Sequence, residues 1–128
     1  MFRFETFRPG DLIGSRDYLL DTAALADWLA LFPADRNGDL MPPGMMAAVT
    51  IRAYSDVLQP RPPGNVHAAQ TFTLRRRPRQ GSRLTTTVRC AEKELRKGRR
   101  WIVFATETTD ASTGAPAFSG RMTVIWAA

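Results

Sequence analysis

The chain is poor in several kinds of residue. Of its 128 residues one is cysteine, one is histidine and two are lysine. A single cysteine, Cys90, excludes a disulfide framework and a cysteine metal cluster. One imidazole, His67, leaves a zinc site short of ligands, so no metal is expected. No stretch approaches the roughly 18 uninterrupted apolar residues of a membrane span. The opening Met1-Phe2-Arg3-Phe4-Glu5 lacks the charged-then-apolar order of a secretory leader. A cytoplasmic protein is the simple expectation. There is no phosphate loop, no dinucleotide fingerprint, no Ser–His–Asp signature and no internal repeat.

What is there is a chain of one-domain length, with 44% hydrophobic and 23% charged residues, enough to bury a core. The net charge of +6 is carried by sixteen arginines. Such a surface suits an anionic partner, and Arg suits bidentate phosphate contact. Composition bias in a GC-rich genome produces the same excess. The arginine segments carry no interleaved aromatics of the kind that stack on single-stranded bases, so no nucleic-acid partner is expected.

Residues 1–14, with Phe2, Phe4 and Phe7 before Pro9-Gly10, predict a short strand or an ordered arm closed by a turn. Residues 16–20 are a candidate short strand. Leu25, Trp28, Leu29 and Phe32 fall at i, i+3, i+4 and i+7 and predict a helix over 22–32, capped by Asp21 or Thr22 and ended by Pro33. A turn-rich loop follows over 33–43. Residues 44–58 predict a second helix with few polar positions, which implies cover on most sides. After it come four strand patterns, over 66–74, 84–95, 101–109 and 117–126. Leu84, Thr86, Val88 and Cys90 share one face of the second, and Gly98 suits a hairpin tip between the second and third. The expected core is Leu25, Trp28, Phe32, Met46, Val49, Ala53, Val57, Phe72, Val88, Val103 and Val124.

Two helices followed by four antiparallel strands resemble the hotdog fold, an α+β architecture in which a curved sheet wraps a central helix. Pro63-Gly64-Asn65-Val66-His67, then Phe72 with Arg77-Pro78 and Gly81, then Asp110 to Gly114, make the chain similar to the MaoC-like dehydratase and hydratase branch of that superfamily. The resemblance covers roughly residues 17–126 of a single hotdog domain spanning 1–128. It implies an acyl thioester on coenzyme A or acyl carrier protein as ligand, bound at the interface of a homodimer or of a heterodimer with another hotdog chain, and no further cofactor.

Adding water to an enoyl thioester takes a base on the water and an acid at the α-carbon. The family places them as Asp-x-Asn-Pro-x-His before the central helix. Here the loop reads Asp35-Arg36-Asn37-Gly38-Asp39-Leu40. Asp35 and Asn37 match, and a leucine stands where the histidine belongs. The candidate catalytic residues are therefore Asp35, Asn37 and His67, the last as a substitute base or as a histidine bonded at a sheet end. Candidate substrate-binding residues are Gly44 and Met45, whose backbone N–H groups at a helix start could hold a thioester oxygen, with Asn65 and Arg77. Thioesterases on this fold use a carboxylate near or within the helix, for which Asp39 and Asp56 are candidates. The arginines at 75–79, 83 and 96–100 could meet carrier phosphates, or simply solvate strand ends. Three functions stay open: a hydratase or dehydratase with an incomplete Asp/His pair, a thioesterase, and a non-catalytic subunit completing a dimer.

Overall fold

A computed structural model describes all 128 residues, Met1 to Ala128. An arm with one 3-10 turn at Phe4–Thr6 leads into β1 (Leu12–Leu19), then α1 (Thr22–Leu31), a 3-10 turn at Pro33–Asp35 and α2 (Met45–Val57). Four strands follow: β2 (Val66–Leu74), β3 (Arg83–Arg96), β4 (Arg99–Asp110) and β5 (Pro116–Trp126). With β1 they form one five-stranded antiparallel sheet in the order β1-β3-β4-β5-β2. The expected strand at 16–20 is longer and starts earlier, within residues 1–14, because β1 finds a partner in β3 with Tyr18 opposite Leu84.

Period-two alternation sends Leu84, Thr86, Val88 and Cys90 of β3 inward, as expected, and all four are buried. β4 contributes Ile102, Phe104, Thr106 and Thr108, and β5 contributes Phe118, Met122, Val124 and Trp126. α2 lies across this face on Val49, Thr50, Ala53, Tyr54 and Leu58. Two apolar clusters result. One, under the C-terminal half of α2, joins Phe7, Tyr54, Phe104 and Trp126. The rings of Phe7 and Tyr54 meet Phe104 edge-on at 5.3 and 5.5 Å, a preferred aromatic geometry. The other, under its N-terminal half, joins Leu20, Leu25, Leu29, Met41, Met45 and Phe118. Threonines lie where they meet: Thr86 and Thr108 share a 2.7 Å hydrogen bond, and the buried Thr50 hydroxyl has no partner.

Several core expectations change. Val103 sits on the outer face, because the continuous apolar run 101–105 does not reveal its phase and Ile102 and Phe104 take the inside. Phe72 is only half-buried, since β2 is an edge strand that α2 does not cover. Phe32 caps the end of α1 and is 49% exposed. Trp28, Met46 and Val57 are half-buried. α2 is also less enclosed than its composition implies: Ala47, Ala48, Arg52 and Asp56 are exposed.

Candidate functional site

The loop over residues 33–43 is held at both its flanks. On the α1 side, Trp28 Nε1 donates to Asp35 Oδ2 at 2.9 Å. The Trp28 ring also packs on Gly44, where a Cβ would stand 2.9 Å from the ring. Gly44 is thus a packing glycine, required by the indole. On the other side the loop is tied to the segment after β2. Met41 N–H donates to the Pro78 carbonyl at 2.8 Å, and Leu40 forms a β-bridge with Arg79. Arg79 pairs with Asp39 at 2.6 Å. Arg77 donates to the Met41 carbonyl from Nε at 3.1 Å and from Nη2 at 3.0 Å. This places Arg77 as a clamp on the loop, where the sequence suggested a substrate contact.

The start of α2 differs from its expected use as well. Met45, Met46 and Ala47 N–H groups donate to the carbonyls of Pro42, Pro43 and Gly44 at 3.0, 3.1 and 3.3 Å. Pro42-Pro43-Gly44 make a turn that runs into the helix, so these donors are already occupied. The Met45 side chain is buried, 2% exposed, in the core cluster. Asp35 and Asn37 are exposed on the loop, and Asn37 offers its carbonyl to Leu40 N–H at 3.1 Å.

His67 and Asn65 lie at the other end of the molecule. Asn65 Oδ1 accepts from Ala127 N–H at 2.8 Å and holds the chain end beside β2. His67 is exposed at the start of β2, opposite Val124, and its Nε2 is 3.0 Å from Gln70 Oε1. From His67 to Leu74 the strand alone spans about 23 Å at roughly 3.3 Å per residue. The loop is tied to the segment beyond Leu74, so within one chain Asp35 and Asn37 are not brought together with His67.

Two hollows flank the loop and α2. One, of about 520 Å³, is lined by Leu40, Arg76, Arg77, Pro78, Arg79, Ser82 and Asp110. Hydrogen bonds from the Ser112 hydroxyl and backbone hold the Asp110 carboxyl below its ordinary value, helped by Arg76. The other, of about 610 Å³, opens between β1, α1 and α2, with Tyr18, Asp27, Trp28, Arg52 and Asp56 among its walls. Burial pushes the Tyr18 hydroxyl up. Asp56 is therefore on the β1 side of α2, away from Arg77. Asp17 and Asp21 in the same wall are occupied, accepting from Thr85 and from Ala24 N–H. Neither the Trp28–Asp35 bond, between residues seven apart, nor Gln70 beside His67 has a local sequence signal; an unbroken strand would point residues i and i+3 to opposite faces.

No family model matches the chain, and no curated protein matches it. Solved structures do. The MaoC-like dehydratase from Rhodospirillum rubrum superposes with a TM-score of 0.77 at 17% identity, over 97% of this chain and 96% of that one. The R-hydratase PhaJ1 from Pseudomonas aeruginosa gives 0.72 at 15% identity, over 96% and 84%. The fluoroacetyl-CoA thioesterase FlK gives 0.69 at 17% identity, over 93% and 87%. Together with the five-stranded sheet around α2, these likenesses establish the fold: the chain is an α+β hotdog domain.

Proposed function

We propose that this chain binds an acyl thioester carried on coenzyme A or acyl carrier protein, and that its reaction class is hydration or dehydration of the acyl chain. The observation that carries this is the arginine-lined hollow. Arg76 presents its guanidinium, with Arg79 paired to Asp39 next to it, beside the very loop that holds Asp35 and Asn37, so an anionic carrier docked there leaves its thioester near that loop. The hotdog hydratases and dehydratase among similar structures support the reading. In it Asp35 is the acid–base group, Asn37 its neighbour, and His67 the imidazole that Leu40 does not supply. Gly44, Met45 and Arg77 shape the loop and the start of α2 through the contacts above, while Asn65 holds the chain end beside β2 near His67. The lone buried Cys90 suits a cytoplasmic setting. No helix is long and apolar enough to cross a membrane.

Calorimetry with an enoyl-CoA, a saturated acyl-CoA and free coenzyme A tests binding, and mass spectrometry of the same mixtures tests turnover. Saturable binding that weakens several-fold in Arg76→Ala and Arg79→Ala is expected, together with a gain of one water by the enoyl thioester. Release of free coenzyme A instead would identify a thioesterase. Absence of binding to all three would refute the reading. A non-catalytic, subunit-completing role is favoured by one observation, the distance between His67 and the Asp35 loop within one chain, and corresponds to binding without turnover.

A further inference from the structure

We propose that the tip of the β3–β4 hairpin, Leu95 to Trp101, docks on an anionic lipid bilayer, with Leu95 entering the apolar layer and Arg96, Lys97 and Arg99 meeting headgroup phosphates.

This is the basic segment that the acyl-thioester reading leaves unused, since the hollow beside the loop draws on residues 76–79. From Leu95 to Thr106 the chain has four cations and no carboxylate. The β3–β4 ladder runs unbroken from Glu92 to its last pair, Arg96 opposite Arg99, so the tip is backed by paired strands. Lys97 and Gly98 close it with φ of 51° and 74°, the two left-handed residues of a tight hairpin turn. Lys97 is the one residue other than glycine with positive φ. Asn, Asp and Gly suit that backbone best, so the turn itself does not account for a lysine at the apex.

The fold leaves most of these charges free. Its two ion pairs, Arg79–Asp39 and Arg121–Glu92, use none of the tip cations. Arg96 lies over the Trp101 ring at 4.7 Å, a contact that places the cation without using its N–H donors. Arg100 is half-buried, with Nη1 3.5 Å from the Ala127 carbonyl, and ties the hairpin to the chain end. Lys93, before the tip, is taken up by the arm: it donates to the Phe4 carbonyl at 3.0 Å and lies 4.6 Å over the Phe4 ring. Arg96, Lys97 and Arg99 are exposed, and a Cβ added at Gly98 would meet nothing within 4 Å. These three are the cations a partner can meet.

Leu95 decides which anionic partner fits. It is 66% exposed, stands opposite Arg100 and precedes Arg96, so an aliphatic side chain projects among cations. A free phosphate or a soluble polyanion offers it nothing. A bilayer presents phosphates at its surface and an apolar layer just beneath, and so satisfies both kinds of side chain. Single-stranded nucleic acid stacks on open aromatic faces, whereas Trp101, the one ring at the tip, already carries Arg96.

The proposal does not depend on the acyl-thioester reading. The full chain is sedimented with vesicles of phosphatidylglycerol mixed with phosphatidylcholine, and with vesicles of phosphatidylcholine alone. Binding to the first that weakens with salt, and none to the second, is expected. Lys97→Asn suits the turn better than the parent residue, so it removes a charge without endangering the fold. It should weaken binding roughly five-fold, the effect of one cation near an anionic surface. Leu95→Ser should weaken it several-fold. Arg16→Gln, the same loss of charge on β1 opposite Thr86, should leave it nearly unchanged. Equal losses in Lys97→Asn and Arg16→Gln would show attraction by net charge alone and overturn the proposal. Unchanged affinity in Leu95→Ser would overturn it too, as would failure to bind the anionic vesicles. Tighter binding to a single-stranded oligonucleotide or to polyglutamate than to the vesicles would replace the bilayer with that partner.

Discussion

Arg77 provides the sharpest test of how this loop is held. As a ligand-binding residue it would be dispensable for folding; as the clamp on Met41 it would not. Two donors of one charged group reach a single carbonyl, that of the buried Met41. A hydrogen bond to a charged group contributes roughly 1.5–3 kcal/mol, and two bonds sharing one acceptor contribute less than twice that, so Arg77→Ala should cost about 2 kcal/mol. In a domain of this size that corresponds to a melting temperature lower by roughly 6–10 °C. Arg77→Lys keeps the charge but loses the planar fork, and should recover about half of the loss. Arg76→Ala, with no such bond, should stay within about 0.5 kcal/mol of the parent. The assay is urea denaturation, in which the midpoint should fall at unchanged slope. Arg77→Ala and Arg76→Ala of equal stability would refute the clamp and return Arg77 to the ligand.

Other outcomes follow from the core and one turn. Thr50→Val removes a buried hydroxyl that has no partner and keeps its shape, so it should raise stability by about 1 kcal/mol in the same assay; a loss instead would mean that the hydroxyl is satisfied in solution. Phe104→Ala empties the centre of the ring cluster around Phe7, Tyr54 and Trp126 and should cost about 3–5 kcal/mol by thermal denaturation. The depressed Asp110 carboxyl favours the folded turn above the ordinary carboxylate range and loses that contribution as pH falls through its lowered value. Asp110→Asn should therefore flatten the acid limb of the stability–pH curve, and an unchanged acid limb would show that the Ser112 bonds do not hold that carboxyl in solution.

Much of the fold was legible in local pattern. The strand at 66–74 has the bounds that its alternation and flanking turns suggested, and both helices were found to within a residue or two, because caps and proline breaks act on near neighbours. Phase was harder. In the run Trp101-Ile102-Val103-Phe104-Ala105 both faces are apolar, so only packing under α2 could assign Val103 to the outside. The candidate site was less legible still. Asp35, Asn37 and His67 were visible as residue types, but whether they meet depends on sheet order, which no local pattern states.

By itself the sequence determined the element order and the poverty in histidine and cysteine, since each is a property of residue type and short spacing. The tertiary structure alone decided that Arg77 grips Met41, that Trp28 needs Gly44 bare, that β2 is an edge strand, and that His67 stands far from Asp35. Those facts depend on contacts between residues far apart in the chain, 36 for Arg77 and Met41 and more for Val66 and Ile125. The geometry of such contacts is set by the register and order of a packed sheet, which exists only once the whole chain has folded.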